Sequence, residues 1–120
     1  MGNFGEYLAG NYLEKKGFKI INKNYSSRYG EVDIVAEKNN SLVFVEVKLR
    51  KKNSKVSGGE SVNSFKQRKI IKTALVYISN LKKDLNARFD VVEICGGVDN
   101  HKITHLENAF TLNDVYLGAA

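Results

Sequence analysis

The chain has 120 residues, of which 42% are hydrophobic and 27% charged; this length and balance fit one domain that buries a single core, and they exclude a disordered polar chain. Nineteen Lys and Arg against thirteen Asp and Glu leave a formal net charge of +6, which suits a polyanionic partner better than an acidic or neutral one. No apolar run reaches membrane-spanning length, and the first residues lack the basic flank and apolar core of a signal peptide, so a cytoplasmic protein without membrane attachment is expected. The lone Cys95 allows neither an internal disulfide nor a cysteine zinc cluster.

Residues 3–16 read as a helix with Phe4, Tyr7, Leu8 and Tyr12 on its apolar arc. At about 100° per residue, Glu6 lies in line with Leu13 at the margin of that arc, bordered by Ala9 and Gly10, and is expected to point toward a sheet. Gly17 stops the helix, and residues 18–24, with Phe18, Ile20 and Ile21, make a first strand. Ser26 to Gly30 is a turn. Apolar alternation then marks residues 31–36 and 42–49 as two strands joined by the turn chemistry of Lys38-Asn39-Asn40-Ser41.

That hairpin carries the most informative residues of the chain. Asparagine tolerates the positive φ of a type I′ turn, so a two-residue Asn39-Asn40 loop sets Lys38 opposite Ser41, Asp33 opposite Glu46 and Glu31 opposite Lys48. Directly opposed side chains have Cβ atoms about 4.5–5.5 Å apart, and like charges so placed destabilise the pair. Period-two alternation puts Glu31, Asp33, Glu46 and Lys48 on one face, with Leu42 and Phe44 covering one end of it. A divalent cation between the carboxylates would turn the repulsion into coordination, since magnesium is commonly held by one or two carboxylates while keeping several waters. The plainer alternative is a solvated sheet face with ordinary surface charges.

After the hairpin, residues 50 to about 61 form a Ser-, Gly-, Asn- and Lys-rich loop too polar to pack and expected to be mobile. A second helix should start near Asn63 or Ser64, where Ser64 and Gln67 have capping-box spacing, and run to about Leu81 with Ile71, Ala74, Leu75 and Ile78 as its buried stripe. Gln67 lies one turn before Ile71, so its amide either faces the sheet or caps the helix. Residues 88–94 read as a strand parallel to that of Glu46, because the connection is long enough for a helical crossover. Asp90 and Glu93 within it have no obvious place. Residues 101–106 form a short edge strand on which His101 and His105 are taken as surface residues, and the tail from Thr111 adds a last helical turn or two.

The positive charge is clustered. Lys48, Arg50, Lys51, Lys52 and Lys55 lie close together, and Lys66, Arg68, Lys69 and Lys72 follow on the next segment, so both clusters flank the carboxylates in sequence. Contacts from Lys and Arg to phosphates supply most non-specific nucleic-acid affinity, and the arrangement fits a phosphodiester substrate lying across the acids. Lysines that simply solvate a loop and a helix face are the bland counterpart.

The order helix, three strands, helix, strand, with an acid and then Glu-x-Lys in the third strand, resembles the core of the PD-(D/E)xK nuclease superfamily. The chain is more closely similar to the YraN-like family of small bacterial proteins, related in fold to archaeal Holliday junction resolvases. The likeness covers most of the chain and rests on Gly5-Glu6 with Ala9 and Leu13, Arg28 through Asp33-Ile34-Val35, Val43 through Lys48, Lys66-Gln67, and Arg88-Phe89-Asp90-Val91-Val92. Val32 stands where the superfamily's name has proline. The resemblance implies a single α/β domain over residues 1–120, with a mixed sheet, a restriction-endonuclease-like core in the order α-β-β-β-α-β, and a short C-terminal extension.

It also implies metal-assisted phosphodiester hydrolysis. Asp33, Glu46 and Lys48 would be the catalytic residues. Asp33, Glu46, Glu6 and the carbonyl of Val47 would hold Mg2+ or Mn2+. Lys48 would either orient or deprotonate the attacking water or act electrostatically on the phosphoryl oxygens; a lysine beside Glu31 and Glu46 should keep its proton, which favours the electrostatic role. Arg28, Arg50, Lys51, Lys52, Lys55, Lys66, Gln67 and Lys69 would contact nucleic acid, DNA in preference to RNA. A resolvase would need a symmetric homodimer, although no dimer face is assignable from these residues. Two other readings stay open: a nucleic-acid-binding module that keeps the acids without cutting unaided, and a structural protein in which Glu31 and Lys48 form a cross-strand ion pair of little energetic weight.

Overall fold

Strand-forming runs rich in Val, Ile and Phe assemble into a five-stranded mixed sheet in the order β1-β2-β3-β4-β5, with one helix on each face. The computed structural model describes residues 4–51, 62–82, 85–97 and 99–111. In chain order the elements are α1 (Phe4–Lys15), β1 (Lys19–Ser27), β2 (Gly30–Lys38), β3 (Ser41–Arg50), α2 (Ser64–Ser79), β4 (Asn86–Gly96) and β5 (His101–Phe110). β1, β2 and β3 form an antiparallel meander, β4 joins β3 in parallel after the α2 crossover, and β5 returns antiparallel along β4. The result is an α/β mixed sheet, as expected from the alternation of elements.

Each helix closes one core. On one face α2 covers Val32, Val35, Leu42, Phe44, Phe89 and Val91 with Ile70, Ile71, Ala74 and Tyr77. On the other, Ala9 and Leu13 of α1 join Phe18, Ile34, Ala36, Val43, Val45, Val92 and Ile94. Strands that face a helix on both sides must be apolar at nearly every position, which explains the run Leu42-Val43-Phe44-Val45.

The hairpin register is the expected one near its turn. Asn39 and Asn40 have φ of 51° and 63°, as a type I′ turn requires, and Lys38 pairs with Ser41. The strand of residues 88–94 is parallel to β3, also as expected, with Lys48 beside Glu93.

Four expectations need correction. β1 runs on to Ser27, because Tyr25 pairs with Val32 and its ring meets Tyr77 edge-on at 4.9 Å, so a polar stretch is held in the sheet. The buried stripe of α2 is Ile70, Ile71, Thr73, Ala74 and Tyr77, whereas Leu75 is 49% exposed and Ile78 half-buried. The helix is turned that way because two polar residues find partners inside: Thr73 Oγ1 shares a hydrogen bond with Ser27 Oγ at 2.9 Å, and the Tyr77 hydroxyl donates to Asn22 Oδ1 at 2.7 Å. β5 is a full strand to Phe110, whose ring stacks on Phe89 at 5.2 Å. His105 is not a surface residue: Tyr12 and Phe18 cover its ring, and its Nε2 lies 2.7 Å from Asp90 Oδ2. Of the loop expected from Arg50, Arg50 itself ends β3; residues 52–61 of that loop and 112–120 of the tail expected from Thr111 lie outside the described residues.

Candidate active site

The β2–β3 ladder runs from Lys38↔Ser41 to Ile34↔Val45 and stops there. Asp33 and Glu46 are next in line. Instead of a backbone pairing, the Val47 amide donates to Asp33 Oδ2 at 2.8 Å. On the other side of β2, Asn24 of β1 and Asp33 both drop out of the β1–β2 ladder between Lys23↔Ile34 and Tyr25↔Val32. Asn24 adopts a positive φ of 55°, which asparagine accepts more readily than most residues. Here the alternation resets: Val32 and Val35 lie in the α2-side core, while Ile34 lies in the α1-side core. Asp33 therefore sits where the strands loosen, between the two faces.

Acids from both faces reach this point. Glu46 projects toward α2 and is buried, and its carboxylate forms an ion pair with the Lys66 ammonium from the first turn of that helix. Glu6 comes from α1, is only 6% exposed, and accepts a hydrogen bond from Asn24 Nδ2 at 2.9 Å. α1 lies close to β3 because Gly5 has no side chain: a Cβ there would lie 2.8 Å from Leu49 Cδ2.

The electrostatics follow from this convergence. Burial and the Glu46 carboxylate push the Asp33 carboxyl up to about 7; the Val47 amide opposes the rise, while a hydrogen bond to Glu46 and the charge of Glu6 add to it. Near neutral pH the acid pair thus keeps a proton for part of the time. Burial works against the Lys66 ammonium, but its hydrogen bond to Glu46 and the charges of Glu46 and Asp33 outweigh burial and hold its pKa above the ordinary lysine value. Lys48 stands beside Lys66 on the Glu46 face.

Asp33, Glu46, Glu6, Val47 and Lys48 are thus gathered at one end of the sheet. Lys66 joins them directly, closer to the acids than a phosphate contact from a neighbouring segment would require. Glu31 does not: it is exposed, pairs with Ser26 in β1, accepts from Ser26 Oγ at 3.3 Å, and has no ladder pairing with Lys48. Lys48 lies beside Glu93 of β4 instead. The expected Ser64–Gln67 capping box is not formed: Asn63 is the N-cap and accepts from the Lys66 amide at 2.9 Å, while Gln67 Nε2 donates to Val62 O at 2.7 Å, before the helix.

The other basic residues divide. Lys51 and Arg28 are exposed, and the Arg28 guanidinium covers the Tyr29 ring at 4.9 Å. Lys69 is exposed and covers the Phe65 ring at 4.6 Å. Arg50 is turned to the buried Glu93 at 3.5 Å, and Lys52 and Lys55 lie outside the described residues. Asn24 was not singled out from the sequence; its only signal was an asparagine inside a strand, where its tolerance of positive φ matters.

Two adjoining carboxylates with a third nearby are the type of donor a magnesium-sized ion takes, and the Asp33 carboxyl is raised first by burial and then by the Glu46 charge. Among the described residues no three His, Cys, Asp or Glu side chains stand at ligand spacing; Glu6 accepts from Asn24 and Glu46 is paired with Lys66. A larger cavity of about 540 Å3, lined by Ile20, Glu37, Leu42, Tyr77 and Leu81, lies toward the turn end of the hairpin, away from the acids. Among the described residues no helix is long and apolar enough to cross a membrane.

The sequence matches the model of the uncharacterised protein family UPF0102 over residues 5–94, a span that contains Glu6, Asp33, Glu46, Lys48 and Lys66. A UPF0102 protein of Sulfurihydrogenibium sp. (strain YO3AOP1) is 49% identical over 112 residues, covering 92% of this chain and 94% of the relative. A UPF0102 protein of Thermodesulfovibrio yellowstonii is 46% identical over 110 residues, with 92% and 95% covered. One from Clostridium beijerinckii is 45% identical over 117 residues, with 94% of each chain covered. Matches of this length and identity leave one conclusion: the chain belongs to the UPF0102, or YraN-like, family.

Proposed function

We propose that the protein is a divalent-metal-dependent nuclease of the PD-(D/E)xK type, with a restriction-endonuclease-like core, that hydrolyses phosphodiester bonds in nucleic acid, DNA in preference to RNA, in the cytoplasm. The observation that carries this reading is the meeting of Asp33 and Glu46 at the end of the β2–β3 ladder, with Glu6 nearby and Lys48 and Lys66 beside them. Holding the buried Glu46 beside the half-buried Asp33 incurs a repulsion that Lys66 offsets only in part and that a bound dication would offset further.

Asp33, Glu46, Glu6 and the carbonyl of Val47 would hold Mg2+ or Mn2+. Bound there, the ion supplies polarisation of a phosphoryl oxygen and a water of lowered pKa. Asp33 and Glu46 would hold the ion at this end of β3, and Asp33 must be deprotonated to ligate it. Lys48 offers a cation to the charge that develops on the phosphoryl oxygens. Arg28, Lys51 and Lys69 supply positive charge along which the strand can lie.

Cleavage of labelled single-stranded, duplex, flap and four-way-junction DNA by the purified protein tests the reading, with calcium as a non-supporting ion. Glu46→Gln should bind substrate and lose magnesium-dependent cleavage. Lys48→Ala should lower the rate far more than the affinity, as expected for a contact made mainly in the transition state. Equal cutting by all three proteins would assign the activity to another site or a contaminant. A second reading, a nucleic-acid-binding module that does not cut unaided, is favoured by one observation: an ammonium already occupies Glu46. Binding without cleavage of any substrate under magnesium or manganese would establish it.

A further inference from the structure

Lys66 was expected to contact nucleic acid, yet its ammonium is paired with Glu46, a position that a phosphate contact alone does not account for. Its backbone is fixed: the amide donates to Asn63 Oδ1 at 2.9 Å, and the next residue is tied by Gln67 N to Asn63 O at 2.9 Å and by Gln67 Nε2 to Val62 O at 2.7 Å. Its side chain is 43% exposed, so its far end borders solvent, whereas the Glu46 side chain it meets is only 6% exposed. A carboxylate buried to that degree is costly without a charge partner, so something must stand at Glu46 in the absence of a metal ion.

We propose that the Lys66 ammonium is the resident counter-ion of the acid pair, exchanged for a divalent cation when one binds and then redirected to the substrate phosphate. This rests on the metal-site reading given above. The charge balance supports the exchange. One ammonium offsets a single negative charge, while Asp33 and Glu46 carry two when Asp33 is ionised; a dication offsets both and releases the lysine. The freed ammonium starts beside Lys48, so two cations then face the position a phosphate would take. Metal ion and phosphodiester binding become positively coupled through one side chain, because each is weaker while Lys66 is held at Glu46. Lys66 touches Glu46 and, after exchange, the substrate, which distinguishes it from the exposed Lys69 and Lys51.

The test uses the full chain as wild type, Lys66→Gln, Lys66→Arg and Asp33→Asn. Manganese affinity is measured by isothermal titration calorimetry without nucleic acid, and affinity for a labelled DNA oligonucleotide is measured with and without calcium. Lys66→Gln should bind manganese about tenfold more tightly than wild type, with Lys66→Arg close to wild type. The gain in DNA affinity that calcium gives the wild type should shrink by about fivefold or more in Lys66→Gln. If wild type binds manganese in an Asp33-dependent way but Lys66→Gln binds it within about twofold of wild type, the counter-ion role is overturned while the metal site stands. If neither wild type nor Lys66→Gln binds manganese or calcium, the metal-site reading fails and takes this inference with it.

Discussion

The Val47 amide donates to Asp33 Oδ2 at 2.8 Å, so the backbone ladder between β2 and β3 ends on a side chain. That bond is made to a carboxyl whose pKa burial and Glu46 have raised from 3.8 to about 7. In the metal-free protein the folded state keeps a proton that the unfolded chain loses near pH 3.8, so stability falls as pH rises from there to about 7, and the full penalty remains above it. Asp33→Asn should therefore stabilise the metal-free protein near pH 8 by about 1–2 kcal/mol, after discounting for solvent screening at a half-buried group, and change it little near pH 4. Urea melts at both pH values check this. A gain of the same size at each would show that the proton on Asp33 is not its source.

Metal ion should reverse that ranking. At roughly 100 times its dissociation constant, an ion that binds only the folded state adds about 2.7 kcal/mol. Wild type should show that shift with magnesium or manganese, while Asp33→Asn and Glu46→Gln should lose most of it. Thermal melts with and without the ion give the answer, and equal shifts in all three proteins would falsify the acid pair as the site.

Binding to nucleic acid should be steeply salt-dependent, and the exposed face of α2 is where the slope should be set. Neutralising Lys69 and Lys72 together should flatten the log–log salt slope by roughly two units. Phe65 is 64% exposed with Lys69 over its ring, so Phe65→Ala should weaken binding to single strands by about 1 kcal/mol and leave the slope unchanged. Fluorescence anisotropy over a salt series separates the two effects. A slope indifferent to Lys69 and Lys72 would move the binding face elsewhere.

Asp90 behaves in the opposite sense to Asp33. Burial alone would raise its pKa, but hydrogen bonds from His105, the Arg88 guanidinium at 2.8 and 2.9 Å and the Asn108 amide, with the Arg88 charge, bring it below the ordinary value. Its contribution to stability is present above about pH 3.8 and is lost as pH falls through the lower folded value. Removing one member of a buried charged cluster strands the others, so Asp90→Ala should cost about 3–5 kcal/mol without altering metal affinity. Chemical denaturation and metal titration on the same variant test both halves.

Much of this arrangement was legible in residue order, for reasons that can be stated. Asn39-Asn40 has few conformations open to it, so the turn set the register from Lys38↔Ser41 to Ile34↔Val45 and brought Asp33 to Glu46. The α2 crossover fixed the parallel direction of β4. Period-two counting failed beyond Ile34, because Asn24 and Asp33 leave the ladders together and reset which side chains face α2; Glu31 was misplaced for that reason. The rotation of α2 was hidden because Thr73 and Tyr77 read as polar until Ser27 and Asn22 supply partners from β1. His105 read as a surface residue because Asp90 and Arg88, its buried company, lie on another strand. The direct contact of Lys66 with Glu46 is a long-range event of the same kind, and clustering of lysines alone points only to phosphate.

The parallel joining of β3 to β4 must wait until the chain has passed through α2, whereas the Asn39-Asn40 hairpin closes over a few residues. The two halves of the site are therefore assembled at different times during folding. A newly closed hairpin has its acids but no ammonium from α2, and like charge favours fraying at that end while the turn end zips. Docking of α2 brings Lys66 in as it covers Val35 and Phe44, so the acid end closes with the same event that completes the core. A nascent chain would then acquire its full set of charges only after its second half has been made.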